Sequence, residues 1–209
     1  MPLVYPSRHP LLHNRLAALR SAQTGPAEFR SLVRTMAMLL AYEATADLPT
    51  RSVEVQTPLG TAPGHVLADT VGIVPILRAG LGMADGLLDL IPEAEVWHIG
   101  LFRDEQTLRP TEYYNKLPTP PRMSLALVVD PMLATGGSAV RACEILKSSG
   151  VKRVKVLALI AAPEGIARLT ESIPDVPIHV GVIDERLTEI GFIYPGLGDA
   201  GDRQFGTAP

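Results

Sequence analysis

The chain has a single cysteine, Cys143, among 209 residues. One thiol cannot close an intrachain disulfide, which excludes a disulfide scaffold and makes a reducing compartment the expected setting. Its place among apolar residues at helical spacing makes Cys143 a small core residue. No apolar run approaches the roughly 20 residues of a membrane helix, and the opening Met1-Pro2-Leu3-Val4-Tyr5-Pro6-Ser7-Arg8 has no signal-peptide core. The expected location is the cytoplasm, with no membrane partner. Charge of one sign is also scarce. The 19 Lys and Arg against 22 Asp and Glu leave a net charge of −3, which argues against gripping nucleic acid as the main task. The five histidines, His9, His13, His65, His98 and His179, lack a metal spacing such as His-Glu-x-x-His. There is no nucleophile elbow, and no Cys–His or Ser–His pairing that spacing justifies.

What is present describes a globule. Apolar residues make up 46% and charged residues 20%, and the length suits one α/β domain over residues 1–209 rather than two. Phe29, Leu32, Val33, Met36, Leu39 and Leu40 recur at helical spacing and the pattern ends near Pro49, so the first 50 residues read as a helical arm. That arm can pack on its own core or on another subunit, and spacing does not choose between them. Short β-type segments follow around Val53–Thr57 and His65–Leu67, with turn signals at Pro58-Leu59-Gly60 and Pro63-Gly64.

From Thr70 onward, apolar strands alternate with amphipathic helices. Strands are predicted over Val71–Leu77, Glu95–Leu101, Leu125–Val129, Val154–Ile160 and Ile178–Val182. Helices are predicted over Leu81–Leu90, Gly137–Ser149 and Glu164–Glu171. Such alternation predicts an α/β fold, a mostly parallel sheet flanked by helices. Between residues 102 and 124 the composition turns polar and proline-rich, with Pro110, Pro118, Pro120 and Pro121. A long excursion of this kind is often a functional flap.

The most informative stretch is Asp130-Pro131-Met132-Leu133-Ala134-Thr135-Gly136-Gly137-Ser138. It follows the predicted strand Leu125–Val129 and precedes Ala139, Ala142, Cys143 and Leu146, spaced like one face of a helix. A strand, a glycine–hydroxyl turn and a helix start make an anion cradle. Glycines let backbone N–H groups approach closely, and the helix N-terminus adds partial positive charge. No Lys follows the glycines, so this is not a Walker loop. On pattern alone, an ordinary strand-to-helix turn fits as well.

Other candidates have equally plain readings when taken singly. Arg78 lies just past a strand, at the end where parallel sheets bind ligands, with Ala79 and Gly80 beside it; a lone Arg there is commonly a surface charge. Arg103 opens the polar excursion beside Asp104 and Glu105, as a solvated loop would. Arg109 and Lys116 lie further along it. Asp130 suits a turn cap. The glycine-rich end would fray, but Ile193, Tyr194, Leu197 and Phe205 are apolar enough to predict a docked segment.

The Asp130–Ser138 stretch resembles the loop of type I phosphoribosyltransferases that wraps the 5-phosphate of phosphoribosyl diphosphate (PRPP). Most members carry two adjacent acids there; Asp130 followed by Pro131 resembles the uracil phosphoribosyltransferases in particular, and leaves a carboxylate pair on the ribose hydroxyls in question. Similar to that family are also Val74-Pro75-Ile76-Leu77-Arg78-Ala79-Gly80-Leu81-Gly82-Met83, Tyr42-Glu43-Ala44-Thr45-Ala46-Asp47-Leu48, Ala161-Ala162-Pro163-Glu164-Gly165-Ile166 and Pro195-Gly196-Leu197-Gly198-Asp199-Ala200-Gly201-Asp202.

The resemblance implies the type I fold with a helical arm (1–50), a flap (102–124) and a base-binding hood (184–209). It implies conversion of uracil and PRPP to UMP and pyrophosphate. Arg78 would meet the diphosphate and Arg103 would close over it. Asp130, Pro131, Met132, Leu133, Ala134, Thr135, Gly136, Gly137 and Ser138 would hold PRPP, with Arg103 and Asp130 carrying catalysis. Ile193, Gly198, Asp199 and Ala200 would meet uracil, mainly through backbone, and Asp199 also PRPP or its magnesium. Mg²⁺ would arrive with PRPP. GTP is carried as an effector and a second copy of the chain as partner. A transferase for another base, or a regulator on this fold that senses UMP or PRPP and binds RNA, are the alternatives.

Overall fold

The computed structural model describes residues 3–103, 110–118 and 120–207. Along the chain run β1 (Val4–Pro6), α1 (Pro10–Arg20), α2 (Pro26–Ala44), β2 (Thr50–Thr57), β3 (Gly60–Leu67), β4 (Val71–Pro75), α3 (Leu81–Leu90), β5 (Glu95–Val96) and β6 (Ile99–Arg103). There follow β7 (Pro110–Asn115), β8 (Leu125–Val129), β9 (Met132–Leu133), α4 (Gly137–Ser148), β10 (Arg153–Ala161), α5 (Pro163–Ser172), β11 (Ile178–Ile183), β12 (Arg186–Leu187), β13 (Ile193–Tyr194) and α6 (Ala200–Phe205).

The central sheet has the order β1-β11-β10-β8-β4-β5, with β9 paired to β10 past the end of β8, and every pairing is parallel. A parallel sheet needs cover on both faces, and the period of two along each strand supplies it. Leu125, Leu127 and Val129 face one core with Leu12, Phe29, Met36, Met83 and Leu87. Ala126 and Val128 face the other with Ala142, Leu146 and Leu169. Helices α1, α2 and α3 therefore cover one face, and α4 and α5 the other. Pro10, Pro26 and Pro163 open α1, α2 and α5, where the missing proline N–H costs no hydrogen bond. The N-terminal helices thus bury their stripes on the core of their own chain.

Three predicted features change. The first 50 residues are not wholly helical, because Val4–Pro6 adds an edge strand to the sheet; proline is tolerated at an edge. The predicted strand over 95–101 divides. Trp97 still donates to Ile73 O and Ile99 still bridges Ile76, but β4 ends at Pro75, which has no N–H to extend the ladder. The chain then leaves the sheet as β6 and pairs antiparallel with β7, so the flap region opens on a hairpin that begins at Ile99. Residues 104–109 of that region, including Arg109, lie outside the described residues. The segments around Val53 and His65 are longer than predicted and form a free-standing hairpin, Thr50↔Leu67 through Thr57↔Gly60, whose residues are nearly all exposed. Among the described residues no helix is long and apolar enough to cross a membrane.

Candidate active site at the strand ends

Parallel strands deliver their carboxyl ends to one edge, where ligands bind. Arg78 follows β4, Asp130 follows β8, Glu164 follows β10 and Asp184 follows β11. The first half of the Asp130–Ser138 stretch remains in the sheet. Asp130 N–H donates to Leu157 O at 3.2 Å, and Pro131 O accepts from Leu159 and Ile160 N–H at 3.1 and 3.0 Å. Pro131 and Leu133 are buried, so they anchor the loop through their backbone and side-chain packing. The chain then turns at Gly136, whose φ of 76° is a left-handed value that favours glycine, and α4 begins at Gly137. Asp130 and residues Met132–Ala139 line one cleft of about 120 Å³; Pro131 does not. Larger cavities of about 470 and 530 Å³ lie at the root and along the face of the β2–β3 hairpin, so chemistry rather than size marks the site.

Asp130 is half-buried, and one of its oxygens accepts from Met132 N–H at 3.3 Å. Burial pushes its carboxyl up to about 7, the negative charge of Asp199 adds to that push, and the Met132 N–H opposes it. The cap role and a titrating acid near neutrality coexist in this side chain.

The segment from Asp184 to Thr207, expected to be a hood and called the hood here, is built differently. β12 and β13 pair antiparallel, the Tyr194–Pro195 peptide is cis, and positive φ values at Gly196 and Gly198 lead into α6. Ile193 and Ala200 are buried while Gly198 and Asp199 are exposed. Asp199 caps α6 by accepting from Asp202 N–H at 2.9 Å. Arginines fasten the segment to the N-terminal helices. Arg20 forks onto the buried carboxylate of Asp184 and donates to Gly196 O at 2.8 Å, while Gly196 N–H donates to Asp184 at 3.0 Å. Arg203 donates to Leu19 O at 2.9 Å, Leu197 O at 2.7 Å and Ser21 O at 2.5 Å, with its guanidinium 4.5 Å from the Phe29 ring centre. Arg30 donates to Gln204 O at 2.7 Å.

Arg78, which follows a cis Leu77–Arg78 peptide, donates to Asp202 at 3.1 Å, and Gln204 Nε2 donates to Ala79 O at 2.8 Å. The fold therefore brings the Arg78 loop against the hood, and Asp130 within electrostatic reach of Asp199. Arg103 ends β6, and its side chain lies outside the described residues. Lys116 sits with Nζ 5.8 Å above the Tyr114 ring rather than among the cleft-lining residues. The sequence reading missed Arg20, Asp184, Asp202, Arg203 and Gln204. No local pattern marks them: Arg20 and Asp184 are separated by 164 positions. Among the described residues no three His, Cys, Asp or Glu gather into a metal cluster.

A family model described as uracil phosphoribosyltransferase matches residues 6–207. The uracil phosphoribosyltransferase of Roseiflexus castenholzii is 56% identical over 207 residues, covering 99% of this chain and 100% of that one. That of Dictyoglomus thermophilum is 57% identical over 200 residues, covering 95% and 97%. The AQ2163 protein from Aquifex aeolicus superposes with a TM-score of 0.92 at 36% identity, covering 98% and 99%. A hypoxanthine phosphoribosyltransferase from Staphylococcus aureus reaches 0.51 at 12% identity over 87% and 84%, a likeness of fold alone. With the parallel sheet, the strand-end cleft and a match over nearly its whole length, the chain belongs to the uracil phosphoribosyltransferase family.

Proposed function

We propose that this protein transfers the phosphoribosyl group of PRPP to uracil, giving UMP and pyrophosphate. The observation that carries this reading is the cleft that the Asp130 carboxyl and the Gly136 turn line together at the strand ends, on the edge where the segment after β11 also lies. In this reading the N–H groups of Thr135, Gly136, Gly137 and Ser138, with the start of the 12-residue α4, hold the 5-phosphate. Met132, Leu133 and Ala134 line the cleft beneath it, and Pro131 anchors it from behind. Asp130 faces the ribose hydroxyls. Arg78 and Arg103 present planar donor forks to the diphosphate. Ile193, Gly198 and Ala200 offer main-chain groups to uracil, whose two carbonyls and two N–H groups need both acceptors and donors.

The bond from the anomeric carbon to diphosphate breaks, the bond to uracil N1 forms, and uracil gives up its N1 proton. Negative charge builds on the departing diphosphate, so Arg103 is worth most in the transition state. Asp130 and Asp199, whose negative charges act on each other, are the carboxylates that would help hold Mg²⁺, and the ion when bound would offset the charge of the leaving group. Two carboxylates are too few for an all-protein cage, which favours magnesium arriving with PRPP.

Incubation with labelled uracil, PRPP and magnesium should yield labelled UMP. Cytosine should react on the order of 10⁴-fold less well, because its 4-amino group leaves a backbone donor unpaired. RNA binding without turnover would replace this reading with the regulatory one. A homo-oligomer is supported by the free-standing β2–β3 hairpin, which exposes Val55, Leu59, Val66 and Leu67, and sedimentation tests it. GTP activation rests on family likeness alone and is tested by adding GTP to the same assay.

A further inference from the structure

Helix α5 forms the rear wall of the phosphate loop. Gly165, in its first turn, meets that loop backbone to backbone. A Cβ on Gly165 would lie 2.3 Å from Ala134 O and 2.7 Å from Leu133 O. In return, a Cβ on Gly136 would lie 2.7 Å from Gly165 O. No side chain fits these gaps, so any residue other than glycine at 165 must push helix and loop apart. Three positions further along the helix, Arg168 reaches the same loop. Its Nη1 lies 3.5 Å from Thr135 O, and 3.3 Å from where a Cβ on Gly137 would stand. A full positive charge is thus set against the Gly136 turn that lines the cleft, adding to the partial charge of the α4 N-terminus.

We propose that Gly165 and Arg168 are positioning residues of the 5-phosphate subsite: Gly165 sets the depth at which the loop sits, and Arg168 braces Thr135 and raises the local positive potential. Neither touches the ligand. The inference rests on the assignment of the Thr135–Ser138 turn to phosphate, and the experiment separates the two.

Binding of ribose 5-phosphate and of pyrophosphate is measured by calorimetry for the parent protein and for Gly165→Ala, Arg168→Ala and Arg168→Lys. The parent should bind both. Gly165→Ala should weaken ribose 5-phosphate by on the order of 10²-fold, the cost of about 1 Å of misplacement. Arg168→Ala should weaken it about fivefold, as expected for one charge across a few ångströms of wet protein, and Arg168→Lys should recover most of that loss. Pyrophosphate affinity, which depends on the Arg78 side of the site, should stay within about twofold throughout. A parent protein that does not bind ribose 5-phosphate overturns the phosphate assignment itself. A parent that binds it, with variants that bind equally well, overturns the inference and leaves that assignment standing. Parallel loss of both ligands with a lowered melting temperature assigns α5 a merely structural role and also overturns it. Should Gly165→Ala fail to fold, the surface pair Arg168→Ala and Arg168→Lys decides.

Discussion

The phosphate loop and the hood occupy the same edge of the sheet but are held there by opposite means. The loop is fixed by neighbours in sequence and by adjoining strands: Met132 N–H on Asp130, Val140 N–H on Gly136 O, and the ladder to β10. The hood has little short-range structure of its own, two two-residue strands and a six-residue helix. It keeps its shape through arginines that reach across from the other end of the chain, or back to it. If the loop takes the phosphate, as proposed, the grip on an invariant group is built locally. If the hood takes the base, the match to that base's edge draws its precision from the whole fold.

The largest effect should come from Asp130→Asn. If the loop acid serves chemistry, kcat/KM falls on the order of 10²–10³-fold. At pH 8 the melting temperature should hold or rise, because the ionised carboxylate is opposed by burial and by Asp199. A destabilised but active variant would make Asp130 a structural cap and break the contrast.

Arg203→Ala should strike the hood alone. It removes a charged donor from three carbonyls; if the segment relaxes so that the equivalent of one charged hydrogen bond, about 1.5–3 kcal/mol, reaches the site, KM for uracil should rise on the order of 10- to 10²-fold. Ribose 5-phosphate affinity should stay within about twofold, as separate sites require. Equal losses of both ligands would show that loop and hood are one unit.

A third effect belongs to pH. If ribose and magnesium require the Asp130 carboxylate, as proposed, its shift up to about 7 means that PRPP affinity should rise about tenfold between pH 6 and pH 8. Asp130→Asn supplies the control that subtracts the titration of PRPP itself, and a wild-type profile no steeper than the mutant's would refute the assignment.

The smallest effect separates site from scaffold at low pH. His179, stacked on Tyr5 with ring centres 5.0 Å apart, is held at about 4 by burial and by nearby Lys155. Below an ordinary histidine value near 6.5 the unfolded chain takes up that proton first, so stability falls as pH drops from about 6.5 to 4. Asp130 has the opposite sign: the folded chain keeps its proton longer, so stability falls as pH rises from about 4 to 7. The two windows overlap between about 4 and 6.5 and their slopes oppose, so His179→Asn should leave a melting temperature that falls by a few degrees toward pH 7, and Asp130→Asn one that falls toward pH 4.

These contrasts also explain what was legible in the sequence. Leu125–Val129 and Leu81–Leu90 were bounded as found, because a buried parallel strand is uniformly apolar and its covering helix carries a stripe. The Thr135–Ser138 turn was legible because its glycines sit where strand gives way to helix. Val4–Pro6 was not, since three residues carry too little pattern to compete with the helices after them. The β6–β7 hairpin was hidden by prolines that signal loop, one of which opens β7. In the hood, the stretch as a docked segment was legible from Ile193 and Leu197, but its arginine fastenings were not: they join positions more than 150 residues apart.

The Arg20–Asp184 pair has a consequence for the order in which the protein comes into being. Synthesis runs from the amino end, so α1 and its Arg20 are made first and wait for a partner near the other end. By the time α5 has emerged, the turn at Gly136 and its backing are all in hand, but the hood is not. At roughly 5–20 residues per second, the remaining stretch through α6 takes a few seconds. On the proposed assignment, a nascent chain in that interval holds the residues for the phosphate but not those for the base, so selectivity would be the last property it gains.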